Sequence, residues 1–129
     1  MEYLADTVAV LRYLARIGRI GKEAREILKA TDEGENLIYI SVISMVEIMY
    51  LTEANKIPVD FNSIKEKILR SDNYRIIDLS MEIVGIAKEN KGLELHDRLI
   101  VATGIYLGTP ILTCDKAIVD SNSIEVIWK

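Results

Sequence analysis

A chain of 129 residues, half of them hydrophobic and 28% charged, has enough apolar material for one core and too little length for two, which excludes a multidomain or disordered protein. The net charge of −4 argues against a protein whose main task is coating phosphate backbones. A single Cys (Cys114) and a single His (His96) exclude an internal disulfide and make a zinc site built from this chain alone improbable. No apolar run reaches the roughly 18 residues that would cross a bilayer, and Met1-Glu2-Tyr3 lacks the basic start of a secretory signal. No membrane association and a cytoplasmic location are therefore expected.

In chain order, Tyr3-Leu4-Ala5 reads as a short strand. Asp6-Thr7 follows, with Thr7 as the expected cap of a helix carrying Val8, Leu11, Leu14 and Ala15 at helical spacing. Gly18 and Gly21 interrupt that pattern, and Ala24, Ile27 and Leu28 resume it in a second helix ending near Asp32-Glu33-Gly34. From Arg12 to Lys29, the cations Arg12, Arg16, Arg19, Lys22, Arg25 and Lys29 face only Glu23 and Glu26, so this stretch carries +4 and the remainder −8. Charge runs of this kind usually form solvated helix faces; the alternative is contact with a nucleic-acid backbone.

Leu37-Ile38-Tyr39-Ile40 is a second strand, followed by a helix from Val42 to about Asn55. Asp60 caps a helix carrying Phe61, Ile64, Ile68 and Leu69; Tyr74 to Leu79 reads as a third strand, and Ser80 starts a helix reaching about Glu89. From His96 or Asp97 a helix runs to Leu107, where Gly108 stops it. Pro110 to Thr113 forms a fourth strand, then a turn of helix and Ile124 to Trp128 close the chain. This alternation predicts an α/β fold, with a mostly parallel central sheet of four to five strands flanked by helices in three layers. In such sheets ligands collect beyond the carboxyl ends of the strands.

Asp6 follows the first strand and Asp115 the fourth, so both are expected at the same rim. Glu47 falls among Ile43, Val46, Tyr50, Leu51 and Ala54 at helical spacing, which predicts a carboxylate within an apolar, core-facing stripe. The opposite side, with Met45, Ile48, Met49 and Thr52, is hardly more polar. A buried carboxylate requires a cation, a metal or a proton beside it. Asp97 opens a helix that is almost wholly apolar beyond Arg98, and its position at the helix start favours the ionised form. Taken singly, Asp6, Asp97 and Asp115 are ordinary turn or helix-start residues, Thr113 is an ordinary strand residue, and Asp78, Glu94 and Asp120 are surface acids. Taken together, four acids at one rim repel one another unless a cation binds, and a carboxylate-only set suits Mg²⁺ or Mn²⁺. Such a site points to phosphoryl chemistry.

Three segments carry a resemblance: Leu4-Ala5-Asp6-Thr7, then Ser41-Val42-Ile43-Ser44-Met45-Val46-Glu47-Ile48, then Leu95-His96-Asp97-Arg98-Leu99-Ile100-Val101-Ala102-Thr103 continuing to Ile111-Leu112-Thr113-Cys114-Asp115. In this order and spacing the chain resembles the PIN-domain nucleases, and most of all the VapC-like ribonuclease toxins of type II toxin–antitoxin modules. The resemblance spans residues 1–129 as a single PIN-like domain. It implies that Asp6, Glu47, Asp97 and Asp115 are the catalytic and metal-binding acids for Mg²⁺ or Mn²⁺, with Thr113 beside the last of them. It implies endonucleolytic hydrolysis of single-stranded RNA by metal-activated water, leaving a 5′-phosphate and a 3′-hydroxyl. It also implies a cognate antitoxin and a homodimer, for which Met45, Ile48 and Met49 offer one candidate face, core packing being the other reading. Arg98 stands where a small residue often follows the third acid, and Ile118 where an aromatic is common; PIN domains also serve in RNA processing. Two other classes remain: a receiver-like module phosphorylated on Asp78, and a PIN-like scaffold without catalysis.

Overall fold

A computed structural model describes residues 1–129. The elements run in the order β1 (Glu2–Ala5), α1 (Thr7–Leu14), α2 (Lys22–Asp32), β2 (Leu37–Ser41), α3 (Val42–Glu53), α4 (Phe61–Arg70), β3 (Tyr74–Ile77), α5 (Met81–Lys88), α6 (Leu95–Leu107), β4 (Ile111–Leu112), α7 (Lys116–Ser121) and β5 (Val126–Ile127). All strand pairs are parallel, in the order β3-β2-β1-β4-β5. No helix is long and apolar enough to cross a membrane.

Side chains alternate across the sheet, and so does the core. Tyr3, Ala5, Ile38, Ile40 and Leu112 face a cluster completed by Val10 and Leu11 of α1, Leu28 of α2, Met45 and Ile48 of α3, and Ile64 and Ile68 of α4. Leu4 and Ile111 face the other way, onto Ile100 and Val101 of α6 and Ile118 of α7; Ile83 and Ala87 of α5 pack with Ala102 of α6. Because both faces of the central strands are covered, Tyr3-Leu4-Ala5 and Leu37 to Ile40 run apolar without alternation, whereas the edge strand β3 carries the exposed Arg75.

The strand order decides where the acids lie. The chain runs outward from β1 to β2 and β3, then returns to the opposite side of β1 for β4 and β5. The sheet therefore reverses its winding between β1 and β4, and a crevice opens at the carboxyl ends of that pair. Asp6 and Asp115 follow these two strands. The same order puts β3 at the edge and leaves Asp78 exposed, away from the reversal, which removes the structural basis for the receiver-like reading.

Three local expectations are corrected. Asp6, not Thr7, caps α1: its carboxylate accepts from the Ala9 N–H at 2.8 Å, and Thr7 is the first helical residue. α6 begins at Leu95, so Asp97 lies inside its first turn rather than at its start. The core face of α3 is Ser44, Met45 and Ile48, whereas Val46, Met49 and Tyr50 are exposed and Glu47 is half-buried. An all-apolar helix offers no polar side to mark its exposed face, so which stripe turns inward is decided by the sheet and not by the pattern. Met45 and Ile48 thus belong to the core and are withdrawn from any dimer face.

The C-terminal segment closes over the start of α2. Ala24 N–H donates to the Trp128 carbonyl at 3.3 Å, and a β-carbon on Gly21 would lie 1.9 Å from that oxygen, so only glycine fits there.

Candidate active site at the carboxyl ends of β1 and β4

Each acid is delivered by a different local device. Asp6 ends β1 and caps α1; Asp115 follows β4 and caps α7 by accepting from the Ile118 N–H at 3.1 Å; Asp97 sits in the first turn of α6. Three helix N-termini thus point their partial positive charge at the rim, which is why three carboxylates are tolerated there. Glu47 reaches the rim from the middle of α3.

Hydroxyl groups tie the acids to the scaffold. Thr113, fully buried, donates to Asp6 Oδ2, and its oxygen accepts the Asp115 N–H at 3.0 Å. One hydroxyl therefore couples Asp6 to the start of the Asp115 turn. Thr7 Oγ1 donates to Glu47 Oε1 at 2.7 Å and lies 2.9 Å from Ser44 Oγ, which has its own proton to give. Thr7 can do this because Asp6 has taken the capping role and left its hydroxyl free. His96 Nδ1 stands 3.7 Å from Glu47 Oε2 and 3.9 Å from Glu94 Oε1, an ion pair whenever the imidazole is protonated.

The electrostatics mark a crowded rim. Burial pushes Asp6 up to about 6, opposed by hydrogen bonds from Thr113 and Ala9 and reinforced by the negative charges of Asp115 and Asp97. Asp97 also rises to about 6, first through burial, then through the charges of Asp115, Glu94 and Glu47, with His96 acting the other way. Asp6, Asp97, Asp115 and Glu47 are thus linked by mutual repulsion. The side chains as they stand do not form a ready coordination set: no three His, Cys, Asp or Glu groups are grouped so as to hold a metal ion. Asp6 spends both oxygens on protein donors and Asp115 and Glu47 one each, while Asp115 Oδ2 and the Asp97 carboxylate accept no hydrogen bond from the protein. The donor chemistry and charge fit a hard divalent cation, and a closed ligand shell requires side-chain rotation.

Sequence reasoning overlooked Thr7, Ser44 and Glu94 as neighbours of the acids, and treated His96 only as a helix-start residue near the site. A hydroxyl immediately after Asp6 and another three residues before Glu47 were the available signals. A half-open, mainly apolar cavity of about 460 Å³ adjoins the rim, lined by Val46, Glu47, Met49, Tyr50, Leu51 and His96. Arg98 points away from the acids and donates to the Ala87 carbonyl at 3.2 and 3.0 Å and to the Lys88 carbonyl at 3.4 Å, satisfying the open end of α5. An arginine beside the third acid is therefore a helix clamp.

A family model described as the PIN domain matches residues 3–121. The chain belongs to the PIN domain family. Solved structures share this PIN fold over nearly the whole chain. A chain of VapBC2 from Rickettsia felis, solved with a promoter DNA fragment, is similar with a TM-score of 0.72 and 19% identity, covering 100% of both chains. A chain of FitAcB from Neisseria gonorrhoeae gives 0.68 and 16%, covering 97% of this chain and 96% of that one. A toxin–antitoxin complex from Klebsiella pneumoniae gives 0.63 and 24%, covering 97% and 95%. No curated protein matches the chain in sequence.

Proposed function

We propose that this PIN domain is a divalent-metal-dependent endoribonuclease acting on single-stranded RNA, and the toxin of a toxin–antitoxin pair. One observation carries the reading: at the reversal point of a parallel sheet Asp6 and Asp115 follow neighbouring strands and are coupled through the Thr113 hydroxyl, and there burial first, then the charges of neighbouring acids, raise Asp6 and Asp97. A rim in this state is relieved by a cation. Asp6, Glu47, Asp97 and Asp115 would hold Mg²⁺ or Mn²⁺, which when bound polarises a phosphodiester and lowers the pKa of water. The chain's own residues do the positioning. Thr113 holds Asp6 and the Asp115 turn in one arrangement, Thr7 orients Glu47, and the N-termini of α1, α6 and α7 favour the ionised carboxylates. An antitoxin partner is supported by a similar chain having been solved in a toxin–antitoxin complex from Klebsiella pneumoniae. A homodimer is part of the same reading.

The test is incubation of the pure protein with a mixed RNA pool, with Mn²⁺ and with chelator, followed by mapping of new 5′ ends. Metal-dependent 5′-phosphate ends that vanish in Asp97→Asn are expected, with a rate loss of several orders of magnitude. Equal cleavage by wild type and Asp97→Asn ends the reading.

A second reading, a PIN-like scaffold without catalysis, is favoured by the lack of a preassembled ligand set. Calorimetry decides between them: Mn²⁺ binding that Glu47→Gln weakens supports the enzyme, and no binding supports the scaffold.

A further inference from the structure

We infer that the cavity between α1 and α2, ringed by Arg12, Arg16, Arg25 and Lys29, binds backbone phosphates of the single-stranded RNA whose scissile bond lies at the carboxylate rim. The inference rests on the RNA-cleaving reading above and adds the path the strand takes away from the acids.

The cavity measures about 440 Å³ and is lined by Arg12, Tyr13, Arg16, Gly18, Ile20, Arg25 and Lys29, with no acid among them. None of the four cations takes part in an ion pair. Asp32, at the end of α2, accepts from the hydroxyl of Tyr13 at 2.5 Å. On a chain of net charge −4, four cations gathered without carboxylates repel one another until an anion enters. The sequence showed the charges; folding gathers them around one open space.

Arg12 is held in place by the fold. It donates to the Arg19 carbonyl at 2.9 Å, lies 5.9 Å from the Trp128 ring centroid, and passes Gly18, whose missing β-carbon would come within 3.2 Å of Arg12 Nε. The same guanidinium comes within 3.8 Å of Cys114 Sγ, the residue between Thr113 and Asp115. Arg12 therefore connects the cavity to the segment between Thr113 and Asp115. Guanidinium groups offer paired donors that match phosphate, and Tyr13 lines the cavity among the cations, with Trp128 behind Arg12, a combination of cations and aromatics that single strands use. An acidic peptide would use the charges but not the aromatic faces or the continuity with the rim.

The experiment is fluorescence anisotropy with fluorescein-labelled oligouridylate, in chelator so that nothing is cleaved. Wild type is compared with the double variants Arg16→Glu/Arg25→Glu and Arg16→Ala/Arg25→Ala, both at exposed positions. The expected result is an affinity loss of about tenfold or more at low salt, and a salt-dependence slope smaller by about 1.4, or about 0.7 for each lost phosphate contact. Unchanged affinity and slope in variants that melt like wild type overturn the inference. If both variants melt early, hydrogen exchange of the wild type decides: oligouridylate is expected to protect residues 12–29, and no protection there overturns the inference. Oligoglutamate binding that depends on Arg16 and Arg25, with oligouridylate binding that does not, also overturns it and assigns the cavity to an acidic peptide. Binding in chelator and cleavage in Mn²⁺ fail separately: cleavage that survives loss of both arginines with unchanged affinity removes only this inference, and arginine-dependent binding without cleavage removes only the nuclease reading.

Discussion

Thr113 and Asp6, 107 residues apart in sequence, share a buried hydrogen bond in which the threonine hydroxyl donates to the carboxylate. The same oxygen accepts the Asp115 N–H, so one side chain sets the spacing of two acids on neighbouring strands. Thr113→Val keeps the shape and removes the donor. The expected outcome is a stability loss of about 1–3 kcal/mol in urea unfolding, because Asp6 is left buried with one donor fewer, and a further rise of the Asp6 pKa. Thr113→Ser should restore most of both; a valine variant as stable as wild type would show that the bond contributes nothing net.

The raised Asp6 has a consequence for acid stability. A carboxyl group with a pKa of about 6 in the folded chain and an ordinary value of 3.8 binds its proton more tightly when folded. Between about pH 4 and pH 6 the native state therefore holds more protons than the unfolded one, and stability falls as pH rises through that window. For Asp6 the change is at most on the order of 3 kcal/mol, taking about 1.4 kcal/mol per pH unit. Asp97 contributes in the same direction, reduced by solvent screening. Thermal melts across this range should show a higher Tm near pH 4 than near pH 6, with a flatter profile in Asp6→Asn. An equally steep profile in that variant would assign the effect elsewhere.

Arg98 clamps the last carbonyls of α5. Arg98→Ala should lower stability by about 1.5–3 kcal/mol, the range for hydrogen bonds from a charged donor, as read by denaturant unfolding. Arg98→Lys should recover only part, since an ammonium cannot reproduce the forked contact with the Ala87 carbonyl.

Tyr74 is buried with its hydroxyl unpartnered, and burial holds that phenol well above its usual range. Tyr74→Phe removes a group that carries a desolvation cost without a compensating bond. The expected result is unchanged stability or a gain of about 1 kcal/mol. A loss of similar size would reveal an ordered water serving the hydroxyl.

What the sequence determined by itself is what neighbours along the chain decide. The alternation of short β-branched runs with helical periodicities, the helix starts at Asp60 and Ser80 and the stop at Gly108 all depend on residues a few positions apart, and each appears in the structure. That Asp6 and Asp115 lie at one end of the sheet was legible because each follows a strand. The tertiary structure decided the rest, because the deciding partners are distant in sequence. Whether Asp6 or Thr7 caps α1 depends on Thr7 having Glu47 and Ser44 to meet. Which side of the uniformly apolar α3 turns inward depends on the sheet beneath it, and the cations of Arg12 to Lys29 become a cavity only when α2 folds back beside α1. Periodicity encodes which faces can be buried, while the strand order β3-β2-β1-β4-β5 selects which faces are, and so which charges meet.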